Sequence, residues 1–398
     1  MQIKNAAVFA LEQGFIEKNI YIQNGYFVEE ENYLEEIRSG KIDSKEESCI
    51  DGSGCYLIPG LVDVHFHGCA GADFSDGTKE GLEKIGRYEL KNGITSICPA
   101  SMTLSEEMIC NAAENAVSYV KEQRKQSLVD KRESLARLCG IHLEGPFLSM
   151  KKKGAQNPEY IQKPNIAMFY RIQKAAQGLV KLITVAPEAE GAEEFVKKLS
   201  NEVHISVGHT ASDYKTAYRA FELGAGHVTH FFNGMTGFSH REPGVFGASY
   251  DAGHVMIELI CDGVHVDASA VRVLFQLFGE ERIVLISDSI RAAGMPDGEY
   301  TLGGLQFTLN GKKAVLEDGT LAGSAVNLMD CVRTAVKMGI PLESAVRCAS
   351  YNAAKSIGVE DVCGSIETGK CGDCVLLRKD DLQVQAVILG GTLIGNVK

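Results

Sequence analysis

The sequence predicts an α/β fold: a (β/α)8 TIM-type barrel with a small β-sandwich domain built from both chain termini. Three observations carry this expectation. Eight short apolar strand candidates alternate with helix-period stretches through the middle of the chain. Side chains able to bind a metal recur at the ends of five of those strands. Strand-and-turn patterns occupy both ends. The length of 398 residues also fits, because a barrel of about 250 residues leaves a remainder too large for loops and too small for a second large domain.

The N-terminal part, residues 1–54, reads as β-structure. Ile20-Tyr21-Ile22-Gln23 and Tyr26-Phe27-Val28 flank Asn24-Gly25, and Asn-Gly suits the positive φ that both central residues of a type I′ hairpin need. The barrel is expected over 55–358. Its strands are expected at Leu61–His67, Thr95–Pro99, Cys139–Glu144, Leu182–Ala186, His204–Gly208, His227–Phe231, Val255–Cys261 and Ile283–Ser287. Helices are expected at Glu80–Lys91, Glu106–Glu122, Tyr214–Leu223 and Ala268–Phe278, with two more near Asn327–Met338 and Leu342–Ser356. Repeated βα units imply a parallel sheet with helices outside. Eight of them suggest closure, with chemistry at the C-terminal ends of the strands. The alternative, an open doubly wound sheet, would carry a Gly-rich phosphate turn opening a helix, and nothing here resembles one. Gly303–Asp318 reads as a β-insertion after the eighth strand, with turns at Gly311-Lys312-Lys313 and Asp318-Gly319. Residues 359–398 return to β: Val375-Leu376-Leu377, then Ala386–Leu389, Gly390-Gly391 and Thr392–Ile394 as a hairpin. Neither end has apolar surface enough for its own core, so the two are expected to share one.

Composition narrows the function. A formal charge of -12 disfavours non-specific binding to nucleic acid or an anionic membrane. It leaves room for a small anionic substrate in a local basic pocket, and Lys151-Lys152-Lys153 is either part of one or a solvated loop. No apolar run is long enough to span a bilayer, and no signal-peptide pattern opens the chain, so a cytoplasmic location is expected. The 12 cysteines are scattered through apolar stretches, as buried reduced thiols are. A lone CxxC at Cys371 and Cys374 has no second pair to make a metal site.

The strand ends carry the chemistry. The first strand candidate ends His65-Phe66-His67, and residues two apart on a strand project from one face. Glu144 ends the third, His209 follows the fifth, His230 lies at the end of the sixth, and Asp288 follows the eighth. One such histidine is more often a hydrogen-bonded core residue than a ligand. The joint pattern is that of a metal site, and imidazole with carboxylate suits Zn2+ or Fe2+ better than Mg2+ or Ca2+. His204, His227 and His254 stand at strand starts, the face that serves stability, and His240 is left open between loop and site.

At this point the residues resemble a known family. Pro59-Gly60-Leu61-Val62-Asp63-Val64-His65-Phe66-His67-Gly68 is similar to the opening motif of the amidohydrolase superfamily. His142-Leu143-Glu144-Gly145-Pro146-Phe147, Gly208-His209-Thr210, His230-Phe231-Phe232-Asn233-Gly234-Met235 and Arg241-Glu242-Pro243-Gly244 narrow the resemblance to N-acetylglucosamine-6-phosphate deacetylases. Cys261-Asp262-Gly263-Val264-His265 and Leu321-Ala322-Gly323-Ser324 agree with it. The resemblance implies that Glu144, His209 and His230 bind the principal divalent ion, Zn2+ before Fe2+. It implies that His65 and His67 hold a second ion, which some relatives have and others lack. Asp288 is then the catalytic acid/base. Asn233, Gly234, Arg241 and His265 handle a phosphorylated N-acetyl amino sugar, with Ala322, Gly323 and Ser324 lining the site. The family forms homodimers in which the arginine matching Arg241 reaches the neighbouring subunit's site. Where the family often has a histidine that contacts the acetyl group, this chain has Gln156, which can donate a hydrogen bond but carries no charge.

These residue types suit amide hydrolysis. A bound metal can lower the pKa of water to about 7 and polarise a carbonyl, and a facing carboxylate can take a proton from that water and give it to the departing amine. Arg241 offers bidentate hydrogen bonds to a phosphate, and His265 a further donor; on its own Arg241 reads rather as a surface ion pair, and His265 equally as a residue preceding a helix. Three rivals stay in view. Cyclic-amide hydrolases of the superfamily share the His-x-His motif but carry a modified lysine at the end of strand four, where this chain has Val185-Ala186-Pro187-Glu188. The 4-epimeric sugar, N-acetylgalactosamine 6-phosphate, is a second substrate candidate. A non-catalytic scaffold would have lost ligands that this chain keeps.

Overall fold

The computed structural model describes residues 1–39, 48–126 and 134–396. Its centre is a run of parallel strands in sequence order. β1 (Leu61–Asp63) pairs with β2 (Ile94–Ile97), and Ala100–Ser101, just beyond β2, pairs with β3 (Ile141–Glu144). β4 (Val180–Val185), β5 (His204–Val207), β6 (His227–Val228), β7 (Met256–Ile260) and β8 (Ile283–Ile286) follow, each parallel to its predecessor. Backbone hydrogen bonds then return the exit of β8 to that of β1. Asp288 N–H donates to His65 O at 2.9 Å and His67 N–H to Ser289 O at 2.7 Å. The sheet is therefore curled, in the manner of a TIM barrel.

The strands are apolar runs because helices cover the sheet outside and side chains fill it inside, which removes the alternation of a half-solvated strand. Every residue of β8 is buried. Several of the surrounding helices begin on side-chain caps: Thr78 accepts from Gly81 N–H before Lys79–Lys91, Asp267 from Ser269 N–H before Ala268–Phe278, and Asn327 from Asp330 N–H before Leu328–Lys337. Each cap satisfies an N–H that the first helical turn leaves without a partner.

The two ends of the chain form two further sheets. One has the order Tyr26–Val28, Ile20–Gln23, Gln2–Lys4, Cys49–Asp51. The other has the order Thr392–Asn396, Val384–Leu389, Cys374–Arg378, Cys55–Pro59, Ala7–Ala10, Gly14–Glu17. Ile3, Ile20, Ile22 and Phe27 of the first share one apolar core with Val8, Leu57, Leu376 and Ile388 of the second. Asn24 and Gly25 both have positive φ (51° and 89°), as do Gly390 and Gly391 (53° and 72°), so both expected hairpins turn as their sequences require.

Cys55–Pro59, just past the boundary expected between residues 54 and 55, pairs with Ala7–Ala10 and Cys374–Arg378. Three expectations need correction. The N-terminal part, read as β throughout, also holds a helix at Glu30–Arg38, whose first turn carries Glu30 and Glu31. The β-insertion is a four-stranded antiparallel sheet from Gly298 to Ser324, wider than expected. The parallel strands stop two to four residues before the His and Asp residues expected at their ends. Residues 40–47 of the expected N-terminal part, and 397–398 of the C-terminal part, lie outside the described residues.

Candidate metal centre and active site

Six side chains converge just beyond the C-terminal ends of the parallel strands: His65, His67, Glu144, His209, His230 and Asp288. Only Glu144 lies within a strand. His209, His230 and Asp288 follow β5, β6 and β8 with φ of 46°, 28° and 48°. A left-handed backbone is uncommon for residues other than glycine and persists where its surroundings over-determine it. Here they do. His209 O accepts from Ser149 N–H at 2.9 Å, His230 N–H donates to the Glu258 carboxylate at 2.9 Å, and Asp288 O accepts from Ser324 N–H at 2.8 Å.

The proton inventory tests whether a cation fits. His209 Nδ1 lies 2.8 Å from Lys152 O, and His230 Nδ1 3.1 Å from Asn233 O. A backbone carbonyl can only accept, so each imidazole carries its proton on Nδ1. The two Nε2 atoms then face each other at 3.0 Å, and face Glu144 Oε1 at 3.2 Å and 2.9 Å. As neutral imidazoles with Nδ1 protonated, His209 and His230 turn two Nε2 lone pairs onto the Glu144 carboxylate, an arrangement that a cation among them satisfies. Tetrahedral zinc with bonds near 2 Å sets its ligand atoms about 3.3 Å apart, close to these separations. His65 Nε2 and His67 Nε2 approach the same carboxylate at 3.3 Å and 3.2 Å, and Asp288 Oδ1 at 3.8 Å and 3.5 Å. His65 Nε2 is buried without a hydrogen-bond partner. The donor set fits a divalent ion at Glu144, His209 and His230, with a second ligand group at His65, His67 and Glu144.

Below these ligands lies a polar layer, of which sequence reading named His227 as a residue serving stability and did not single out Glu258. His65 Nδ1 donates to Glu258 Oε2 at 2.7 Å. Burial pushes the Glu258 carboxyl up, but the adjacent His65 outweighs it and holds the group at about 2. His142 bonds Thr184 (2.8 Å), which bonds Thr229 (2.7 Å), and Ser206 links Thr229 (2.6 Å) to His227 Nδ1 (3.1 Å). Burial holds His142 well below the ordinary imidazole range and His227 at about 4. Asp63 accepts from Ser287 Oγ at 2.5 Å and from His65 N–H at 3.3 Å, tying the exits of β1 and β8 together. The available signal was a carboxylate inside an apolar strand, Met256-Ile257-Glu258-Leu259-Ile260.

The remaining expected residues divide. Gln156 is buried at the site, but its amide is already used. Thr103 N–H donates to Gln156 Oε1 at 2.7 Å, which turns Gln156 Nε2 onto Glu144 Oε2 at 2.5 Å. Gln156 thus contacts the ligand carboxylate directly. Gly234, at φ 60°, lies against both imidazoles: a Cβ there would stand 3.1 Å from His209 Nδ1 and 3.3 Å from His230 Cε1. Asn233 turns its side-chain amide to His230 O and Phe231 O. Gly323 and Ser324 end the strand Leu321–Ser324, with Ala322 beside them, and pack on the exit of β8, where Ile290 N–H donates to Ser324 O at 3.0 Å. His265 Nδ1 bonds Asp262 Oδ2 at 2.7 Å. Arg241 is exposed, and its guanidinium has no ion pair among the described residues.

Fold and ligand arrangement together define a metal-dependent hydrolase, and the comparisons agree. The sequence model of the amidohydrolase family matches residues 56–394. The N-acetylglucosamine-6-phosphate deacetylase of Bacillus subtilis (strain 168) is 37% identical over 326 residues, 81% of each chain. The N-acetylgalactosamine-6-phosphate deacetylase of Escherichia coli O157:H7 is 35% identical over 339 residues, 85% of this chain and 87% of that one. Among solved structures, a mutant N-acetyl-D-glucosamine-6-phosphate deacetylase from Mycobacterium smegmatis, in complex with N-acetyl-D-glucosamine-6-phosphate, superposes with a TM-score of 0.86 at 29% identity, covering 99% of each chain. The chain belongs to the amidohydrolase family and, within it, to the N-acetylglucosamine-6-phosphate deacetylases.

Proposed function

We propose that this protein hydrolyses the N-acetyl amide of N-acetylglucosamine 6-phosphate, releasing acetate and glucosamine 6-phosphate in amino-sugar metabolism. The observation that carries the reading is the lone-pair convergence of Glu144, His209 and His230, with both Nδ1 protons committed to backbone carbonyls. These three residues hold the principal divalent ion, and His65 and His67 a second; Zn2+ is the favoured ion, with Fe2+ also suited to the donors. The bound ion supplies Lewis acidity, lowering the pKa of water to about 7 and polarising the acetyl carbonyl. Asp288 accepts a proton from the attacking water and returns it to the departing nitrogen, so that the C–N bond breaks to a neutral amine. Its carboxylate faces both half-sites and keeps a solvent path, with 7% of the residue exposed. Gln156 keeps Glu144 oriented. In this reading the frame is a closed (β/α)8 barrel carrying a terminal β-sandwich, supported by the backbone bonds joining β8 to β1 and by the core shared between the terminal sheets.

The 6-phosphate needs cations. Arg241 supplies one across a homodimer interface, supported by its unpaired guanidinium and by exposed Phe238 (57%) and Tyr250 (46%) nearby in the chain. His265 supplies a further donor through its free ring nitrogen. Twelve unpaired thiols favour a reducing, cytoplasmic setting. The test is acetate release from N-acetylglucosamine 6-phosphate, before and after chelation, with the 4-epimer in parallel. Chelator-sensitive release, faster on the gluco sugar, supports the proposal. Release only from the galacto sugar moves the specificity to the epimer, and release from neither overturns the reaction.

A further inference from the structure

β7 lends no residue to the six converging side chains, yet Glu258 brings a fully buried carboxylate against them. One oxygen, Oε2, accepts twice: from His65 Nδ1 at 2.7 Å and from His230 N–H at 2.9 Å. The backbone carbonyl of Glu258 also accepts from Phe231 N–H at 2.8 Å. A single residue thus grips both halves of the centre, the side chain of His65 and the left-handed backbone of His230. The four imidazoles are not backed alike. His67, His209 and His230 each turn Nδ1 to a neutral backbone carbonyl, at 3.2, 2.8 and 3.1 Å. His65 alone is backed by a carboxylate.

We infer that Glu258 is the positioning residue that makes the His65/His67 side of the centre a second ion site. Oε2 already accepts the His230 N–H, and as an acceptor it takes the His65 Nδ1–H hydrogen bond at 2.7 Å, which sets His65 as the Nδ1–H tautomer. The Nε2 lone pair is then left facing Glu144 Oε1 at 3.3 Å and Asp288 Oδ1 at 3.8 Å, with no hydrogen-bond partner of its own. A carboxylate on the far nitrogen also makes an imidazole a stronger donor to a metal, and losing such a partner weakens metal binding by about 10–100-fold. Glu258 reaches the Glu144/His209/His230 side only through the His230 backbone, so its loss falls mainly on the other side.

This rests on the metal-centre reading proposed above, and its test uses no substrate. Metal-stripped protein is titrated with Zn2+ against a chromophoric chelator. The unmodified chain is expected to bind two ions. Glu258→Gln keeps the shape and can keep both hydrogen bonds, but removes the charge. It is expected to weaken one of the two affinities by about 10–100-fold and the other far less. If that variant does not fold, Glu258→Asp, which keeps the charge and withdraws it by one methylene, is expected to show the same one-sided loss. One ion in the unmodified chain, two affinities that fall alike, or two that do not change would overturn the inference. A failure to deacetylate any sugar would leave the titration result intact, so the two readings fail separately.

Discussion

Asp288 Oδ1 stands 3.5 Å from His67 Nε2 and 3.8 Å from His65 Nε2, beside the ligands without belonging to either group of three. Asp288→Asn keeps the volume and removes the base. It is expected to lose about 10²–10⁴-fold in kcat while retaining its metal, checked by turnover and metal content on one preparation. Away from the site, Glu89 is a buried carboxyl with both oxygens unpartnered. Burial, and then the charge of Asp63, push it up to about 8. The unfolded chain releases this proton near the ordinary value of about 4.3, whereas the folded chain holds it until about 8. This group's contribution to stability is therefore complete below the unfolded value and is lost as pH rises through the folded one. Glu89→Gln is expected to flatten the fall in Tm between about pH 5 and 8; an unchanged slope would contradict the assignment. At this scale the ligand residues were legible because imidazoles and carboxylates stand out at the ends of apolar strands. The contact of Gln156 was not, since its partners are Thr103 and Glu144, 53 and 12 residues away.

The segments leaving the strands decide how those side chains are aimed. The loop after β6 closes on the ligands through Gly234, whose positive φ and near contact with both imidazoles make any side chain there strained and tight. Gly234→Ala puts a Cβ in left-handed backbone, costing about 1–2 kcal/mol, and pushes it against His209 and His230. A lower Tm is expected together with weaker metal retention against a chelator. Unchanged retention would show that the loop only covers the ligands. The sequence indicated where β5, β6 and β8 lie, but not that each is followed by a left-handed histidine or aspartate. No glycine marks those positions, and the strain is held by partners such as Ser149, Glu258 and Ser324 that come from other elements.

Two copies of the chain are needed if Arg241 serves a neighbouring site. Arg241→Ala and Asp288→Asn proteins, each impaired alone, are then expected to regain activity when their subunits are exchanged. A hybrid dimer has one site with its own Asp288 and the partner subunit's Arg241. No gain on mixing would place the arginine's action within its own subunit. At this scale the division between sequence and structure is clear. The sequence by itself determined the order of the parallel strands, the two glycine-containing hairpins at the ends, and the donor types gathered at the strand exits. All of these follow from local periodicity and turn chemistry. Only the tertiary structure decided that Cys55–Pro59 joins the terminal sheets, that Gln156 bonds Glu144, and that Glu258 backs His65 across 193 residues of chain. A hydrogen bond depends on atoms brought within about 3 Å, and which distant residues meet at that range is settled by how the sheet curls, not by the pattern of any one segment.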